Sequence, residues 1–524
     1  MFDVAIIGSG PAGTSAALTL RGRKVLMLDV GHAAAAGDGI ADNFYAAKRE
    51  PEANFAALIG EDFASLHNLD GANLMPKIKA PLRRFVVQDS RRLAPILSDN
   101  FDGFLSFAAG GLANAWGAQL YRFDAADLAD FPIKPADLEP HYAALTEHIG
   151  ICGRADDLSP FYGTADGLLP AHDLAPLGKT VLRSYEKRKA YFNRNGVFMG
   201  MPRLGLLTQA HGDRPAHPYD NVEFFNPNIP SVYTPKISLD QLLKSADAPT
   251  YVAGRLVQSF EQQQDCVVIT ARRLSDDVLE TYRGKHLLLG AGAIGSARLV
   301  LQSQADTTVK LPILENLLSY IPFVNPMFIG TPQAEKSFYT QTNLCLPQSD
   351  GSVVTGTFYA VSGLLHADLL FDLPLSSRAN VMALKHILPS MLVLHLWYPA
   401  KAQAHNRMSL GPNREIVVDY RDSVSGAVER KLISLFRRTG HLSLPSLCKF
   451  PKPGQSFHYA GTLPMRATPG PFETDTQGRL FGSNRVRVID GAVFPSLPAK
   501  NLSFTIMANA ARIATSLRAE LGDV

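Results

Sequence analysis

Apolar residues along the chain fall into two patterns, unbroken runs and alternations, and each predicts a different kind of strand. "DVAII" (3–7) is an unbroken apolar run of the kind a strand buried on both faces needs. "AGTSAALTL" (12–20) reads as a helix of small and apolar residues, and "KVLMLD" (24–29) as a second buried strand ending in an acid. The same order of buried strand, glycine turn and helix recurs in "GKHLLLGAGAIGSARLVLQS" (284–303). Upstream of it, "PTYVAGRLVQSFEQQQDCVVITARR" (249–273) has the look of a β-meander with Val257 inside. Near the end, "RVRVID" (485–490) alternates into Asp490, and a Pro-rich turn leads to a helix over "LSFTIMANAARIATSL" (502–517). Four further stretches, "GSVVTGTFYAV", "SMLVLHLWYP", "NRMSLG" and "REIVVDY", suggest a largely antiparallel sheet. "GHAAAAGDGIADN" (31–43) predicts a loop or short helix, and the chain carries no internal repeat and no extended linker.

The turn between the first strand and helix carries the first chemistry. Gly8, Gly10 and Gly13 stand in GxGxxG spacing, with Pro11 and Ala12 between them. Gly8 permits a tight turn, Gly10 lets backbone amides approach a pyrophosphate, and Gly13 lets helix and strand pack closely. A helix N-terminus offers unpaired N–H groups and positive potential to phosphates. Asp29, 21 residues after Gly8, is placed to accept from ribose hydroxyls and argues against a 2′-phosphate there. The whole unit predicts dinucleotide binding but does not by itself separate FAD from NAD.

Composition narrows the class without naming a reaction. With 524 residues the chain exceeds a single ordinary core, so two or more interlocked domains are expected. Lys+Arg 51 against Asp+Glu 48 leaves a formal charge of +3 without long runs of either sign, which is no nucleic-acid signature. Cys152, Cys266, Cys345 and Cys448 lie far apart with no CxxC, which fits a reducing compartment and neither a dithiol centre nor a zinc site. No His/Asp/Glu cluster has metal-ligand spacing. "ILPSMLVLHLWYPA" is too short to span a bilayer, and the opening "MFDVAIIG" has no basic leader. A soluble cytoplasmic protein with no membrane or nucleic-acid partner is expected.

Two later segments hold candidate residues. In "FAAGGLANAWGAQLYRF" (107–123), Gly110 and Gly111 followed by small residues permit close approach of a flat ligand, or simply pack a loop on the sheet. In "SFHYAGTLPM" (456–465), His458 precedes a Gly-Thr pair, and the stretch alone reads as readily as a packing histidine. Asn501 stands at the mouth of the last helix, whose N-terminal dipole favours negative charge beside it. His395 lies on an apolar strand beside Trp397, facing either substrate or core.

Taken in order, these segments resemble the glucose–methanol–choline (GMC) flavoprotein oxidoreductases. "GAGAIGSARLVLQS" is similar to that family's internal signature, "HYAGTLPM" to its catalytic-histidine segment, and "VIDGAVFPSLPAKN" to its C-terminal signature. "GGLANAWG" with "FPIKPADLEPHYAALTEHIGICG" is most like the branch holding pyranose oxidase and gluconate or related sugar dehydrogenases. The resemblance implies an α/β fold in which a Rossmann-like FAD-binding domain is joined to a substrate domain on a mainly antiparallel sheet. The expected pieces are 1–150, 248–306 and 476–524 for the first domain, and 151–247 with 307–475 for the second.

The same resemblance implies site residues and a reaction. His458 becomes the general base over the flavin, and Asn501 the second polar group on the alcohol oxygen, with hydride passing to flavin N5. Asn114, Trp116, Val257, Ala291, Asp490, Gly491, Leu502 and Thr505 join Gly8, Gly10, Pro11, Ala12, Gly13, Asp29, Gly110 and Gly111 around the cofactor. Family members that hold flavin covalently use a histidine just before the residue matching Trp116; that position is Ala115 here, so non-covalent FAD is expected. The expected activity is oxidation of a CH–OH group of a sugar, polyol or other alcohol, by a dehydrogenase or oxidase, with O2 or another oxidant as acceptor. A non-redox lyase on the same fold, or a catalytically silent FAD protein, is the alternative. Departures from the family are Lys500, expected to snorkel outward or else to favour an anionic substrate, and Arg466 where a glycine is usual.

Overall fold

The computed structural model describes residues 1–34, 58, 60, 65, 76–220, 226–304, 307–334, 336–361 and 376–522. Two sheets organise it. Unbroken apolar runs make the centre of the first sheet, and "RVRVID" supplies a further parallel strand. Its parallel part runs Thr250–Val252, Val25–Leu28, Phe2–Ile7, the end of Leu279–Leu289, and Val486–Val488. Side chains alternate across it, so Val4, Ile6 and Met27 pack on the helices Pro11–Thr19 and Ser503–Glu520. Ala5, Ile7 and Leu28 face the larger core that includes Ala293–Gln304. Burial on both faces is why the segments 4–7 and 25–28 are wholly apolar, while Arg487 in Val486–Val488 is buried against Glu520. The first half of Leu279–Leu289 continues into the expected meander with Val267–Arg273 and Arg255–Gln262.

The second sheet is antiparallel throughout, in the order Leu318–Val324, Met391–Trp397, Val353–Ala360, Thr340–Pro347, Phe198–Gly200. Register sets Tyr320 opposite His395, and His395 opposite Thr357. Residues directly opposite in an antiparallel pair share a face. Ile321, Phe323, Leu392, Leu394 and Leu396 therefore enter a separate core with the helices Pro176–Lys187 and Ala427–Arg437, while Tyr320, His395 and Trp397 take the other side.

Arg407–Leu410 and Ile416–Asp419 are strands, as expected, but they do not join this sheet. They form a four-stranded sheet with Leu311–Pro312 and Ile96–Leu97. Met408, Leu410, Ile416 and Val418 go into the core of the first sheet, because their apolar face has Ala293–Gln304 to pack on. The stretch 35–43 lies outside the described residues, and among those described no helix is long and apolar enough to cross a membrane.

Candidate active site

The glycine turn after the first strand is built from backbone contacts too close for any side chain. Gly8 has φ +91°, and a Cβ there would lie 2.6 Å from the Gly290 carbonyl oxygen. A Cβ on Gly13 would lie 1.9 Å from the Gly8 carbonyl oxygen. The helix Pro11–Thr19 begins at Gly10 with no side-chain cap, so its first N–H groups stay available. Gly111, at φ +65°, abuts this turn: a Cβ on it would come within 3.2 Å of the Gly10 Cα. Ser9 joins the two loops, its hydroxyl accepting from the Gly110 N–H at 3.1 Å and donating to Asp29. Burial, opposed by the Ser9 bonds, raises the Asp29 carboxyl to about 6.

This turn opens into a cavity of about 980 Å³. At its first end stand Gly8, Gly10, Asp29, Val257 and Ala291; farther along come Trp116, Asp490 and Gly491. At its other end stand His458, Asn501, Trp397, Tyr320 and His395. The helix Ser503–Glu520 starts here with Leu502 as an uncapped N-terminus, which directs its positive end into the cavity beside Asn501. Asp490 is buried and accepts from Ser296 Oγ at 2.5 Å and from the Ala492 N–H at 2.9 Å. Burial moves its carboxyl up to about 6 as well, with those bonds in opposition.

His458 is held on two sides. Its Nδ1 lies 3.0 Å from Asn316 Oδ1, and its backbone N–H donates to Ser456 Oγ at 3.1 Å. Its ring lies parallel to Trp397 within 12° at 6.2 Å between centroids, and Trp397 stacks in turn on His395 at 3.9 Å. The imidazole keeps an edge on the cavity but sits deep below the surface. That burial lowers it to about 4, so it is neutral at ordinary pH. Phe457, just before it, has φ +61°, a left-handed conformation costly for a bulky residue, with its ring 4.8 Å from that of Phe104. A neutral imidazole, an amide, a helix N-terminus and the glycine turn all face one cavity.

Residues 448–510 match the family model described as GMC oxidoreductase. In this segment the chain is similar to the C-terminal domain of GMC oxidoreductases. No curated protein sequence matches the chain at a significant level. Among solved structures, pyridoxine 4-oxidase from Mesorbium loti superposes with a TM-score of 0.57 over 98% of this chain and 99% of its own, at 11% identity. At that identity the likeness establishes the fold alone, a mixed α/β architecture with several sheets.

The GMC segment supplies His458, Asp490, Gly491, Asn501 and Leu502 to the cavity wall. Gly8, Gly10, Pro11, Ala12, Asp29, Gly111, Trp116, Val257 and Ala291 reach it from outside that segment. Gly13, Gly110, Asn114 and Thr505 are not on the wall. Gly13 is the contact between helix and turn described above. Asn114 clamps the glycine loop by donating to the carbonyls of Ala109 at 2.9 Å and Gly111 at 2.8 Å. The Thr505 hydroxyl bonds the Tyr142 hydroxyl at 2.7 Å.

Lys500 neither snorkels outward nor faces the cavity. It is 1% exposed, with its ammonium on Asp124 at 2.9 Å and on Asp127. Burial opposes its charge, but the two carboxylates outweigh burial and hold the group above its usual value. Arg466 pairs with Glu473 at 3.2 Å. His395 lines the cavity through its ring while its Nε2 is buried without a partner. Asn316, Glu315, Tyr320, Tyr359 and Gln119 went unnoticed in the sequence. "LEN" at 314–316 has no signature, and only the apolar strand carrying His395 and Trp397 pointed to that wall.

Proposed function

We propose that the protein is an FAD-dependent oxidoreductase that oxidises the CH–OH group of a small alcohol, with His458 as general base. The observation that carries this reading is the single cavity joining the Gly8–Asp29 turn to His458 and Asn501. The residues fit the cofactor: bare backbone at Gly8, Gly10 and Gly111, a buried acid at Asp29 for the ribose, and an uncapped helix at Leu502 for the negative end of the ring system. With Ala115 before Trp116, FAD is held without a covalent bond, and acid precipitation should release it all. When bound, FAD supplies the two-electron acceptor for a hydride.

The chain's own residues do the rest. His458 Nε2 takes the hydroxyl proton; the O–H pair stays on oxygen and becomes the second bond of the carbonyl as the C–H bond releases its pair as hydride. Asn501 holds the alcohol oxygen, and the second sheet covers the site against water. Tyr320, Tyr359, His395 and Trp397 offer ring faces, which favours a ring-bearing alcohol, aryl or sugar, over an acyclic polyol. The protein likened in fold is called pyridoxine 4-oxidase, which agrees with such a substrate. We read 1–150, 248–306 and 476–524 as the cofactor domain, and 151–247 with 307–475 as the substrate domain.

Anaerobic mixing with a panel of alcohols should bleach the oxidised flavin band, and admitting oxygen then distinguishes oxidase from dehydrogenase. His458→Ala should slow bleaching by about 10²–10⁴-fold. Bleaching within threefold of the parent removes the base assignment, and a protein that holds no flavin removes the reading altogether.

A further inference from the structure

Asn316 is fully buried and directly follows Glu315, which pairs with Tyr459 across a short antiparallel bridge. The bridge brings the dipeptide beside the His458 loop, and its two side chains divide the work. The Glu315 carboxylate accepts from the Gly454 N–H at 2.5 Å, the Ser456 N–H at 3.1 Å and Ser456 Oγ at 2.7 Å, which ties down the loop. The Asn316 side chain reaches the imidazole itself. Its amide orientation is fixed by its neighbours: one end faces only carbonyls, of Tyr398 at 2.8 Å, Pro498 at 3.1 Å and Leu497 at 3.5 Å. Carbonyls accept only, so that end is the NH2 group, and the oxygen is the atom 3.0 Å from His458 Nδ1. An amide oxygen cannot donate, so Nδ1 carries the proton.

We infer that Asn316 is the positioning residue that sets the tautomer of His458, holding hydrogen on Nδ1 and leaving the Nε2 lone pair for the cavity; this rests on the reading of His458 as the base. The choice of an amide in place of a carboxylate has its own consequence. A carboxylate on Nδ1 would favour the imidazolium and keep the base protonated before substrate arrives. An amide oxygen orients the ring without that charge. The other titratable groups around the ring are His395 beyond Trp397, Glu315 behind Ser456, Tyr320, and Lys449 on the cavity wall. None of them takes the Nδ1 position.

The assignment is read directly from ¹⁵N spectra of the histidine-labelled holoenzyme, with His458→Gln identifying the resonances. Protonated Nδ1 and unprotonated Nε2 are expected; hydrogen on Nε2 overturns the inference, whatever the variants do. Asn316→Leu should lower kcat/KM by about 100-fold with flavin still bound. Asn316→Asp should keep turnover at alkaline pH and move the acid limb of kcat/KM up by about one unit or more. A role confined to packing would leave that limb in place, and an unmoved limb in flavin-loaded Asn316→Asp overturns the inference. Should neither variant fold, the parent spectrum still decides. Normal turnover in His458→Gln would sink the base reading instead, leaving the tautomer to the spectrum.

Discussion

The two ends of the cavity are made of different material. The Gly8–Asp29 end is built around close backbone-to-backbone contacts, at Gly8 with Gly290 and at Gly111 with Gly10, with Ser9 tying the loops together. The His458 end draws on residues 316, 320, 395, 397, 456, 458 and 501, brought together by sheet register and side-chain hydrogen bonds. The first end fails when an atom is added. The second fails when a partner is removed. That contrast sorts the substitutions below.

The harshest test of the backbone-built end is Gly13→Val. Its Cβ would stand 1.9 Å from the Gly8 carbonyl oxygen and 3.0 Å from the Gly8 carbonyl carbon, backbone atoms that cannot swing aside. A loss of more than about 4 kcal/mol is expected, with flavin absent from the purified protein. Near-parental thermal stability and full flavin content would break the comparison. Gly22→Ala is the control: at φ +82° it is conformationally strained, but nothing lies within 4 Å, so only about 1 kcal/mol should be lost.

Next comes the removal of a partner at the other end. Lys500→Met leaves Asp124 and Asp127 without their cation beneath Asn501. Taking one member from a buried ion pair costs about 3–5 kcal/mol. Urea denaturation should show this loss, and adding Asp127→Asn to the variant should recover part of it. No recovery would mean that lost packing of the lysine stem, and not an orphaned charge, is responsible.

The same contrast explains what could be read from the chain. A turn whose parts are adjacent in sequence announces itself, so Gly8, Gly10 and Asp29 were legible as one turn. Most buried parallel strands were legible from unbroken runs, and the strand in "RVRVID" from alternation. His458 and Asn501 came from resemblance, because nothing near either one names its partner. Asn316 was invisible: its meaning lies in a 3.0 Å contact across 142 positions. Lys500 was misjudged for a related reason, since its carboxylates at 124 and 127 are as remote in sequence. Arg407–Leu410 and Ile416–Asp419 show that alternation predicts a strand but not the sheet it joins.

A smaller effect separates the loop anchor from the base. Burial raises Glu315 from 4.5 to about 7, with the Ser456 and Gly454 bonds in opposition. Between those values the folded protein binds the proton more tightly than the unfolded chain, so stability falls as pH rises from 4.5 to 7 and then levels. A decline on the order of 2–3 kcal/mol over that window is expected from this group. Glu315→Gln should abolish the slope while moving absolute stability by a separate amount. Equal slopes in denaturation series of the two proteins would show that the carboxylate stays ionised throughout.

The mildest test concerns Thr505, expected from the family resemblance to touch cofactor and found bonded to Tyr142 one helical turn inside the last helix. If its hydroxyl serves only that bond, Thr505→Val keeps the shape and leaves one buried phenol short of a partner, while Tyr142 retains its bond to the Phe123 N–H. About 1 kcal/mol of stability should go. Flavin affinity, measured by titrating apoprotein with FAD, should stay within twofold, because the altered group faces the helix Pro135–Ile149 and not the cavity. A tenfold loss of affinity with unchanged stability would place the hydroxyl on the cofactor. The backbone-built half of the site would then reach farther into the last helix than the cavity wall indicates.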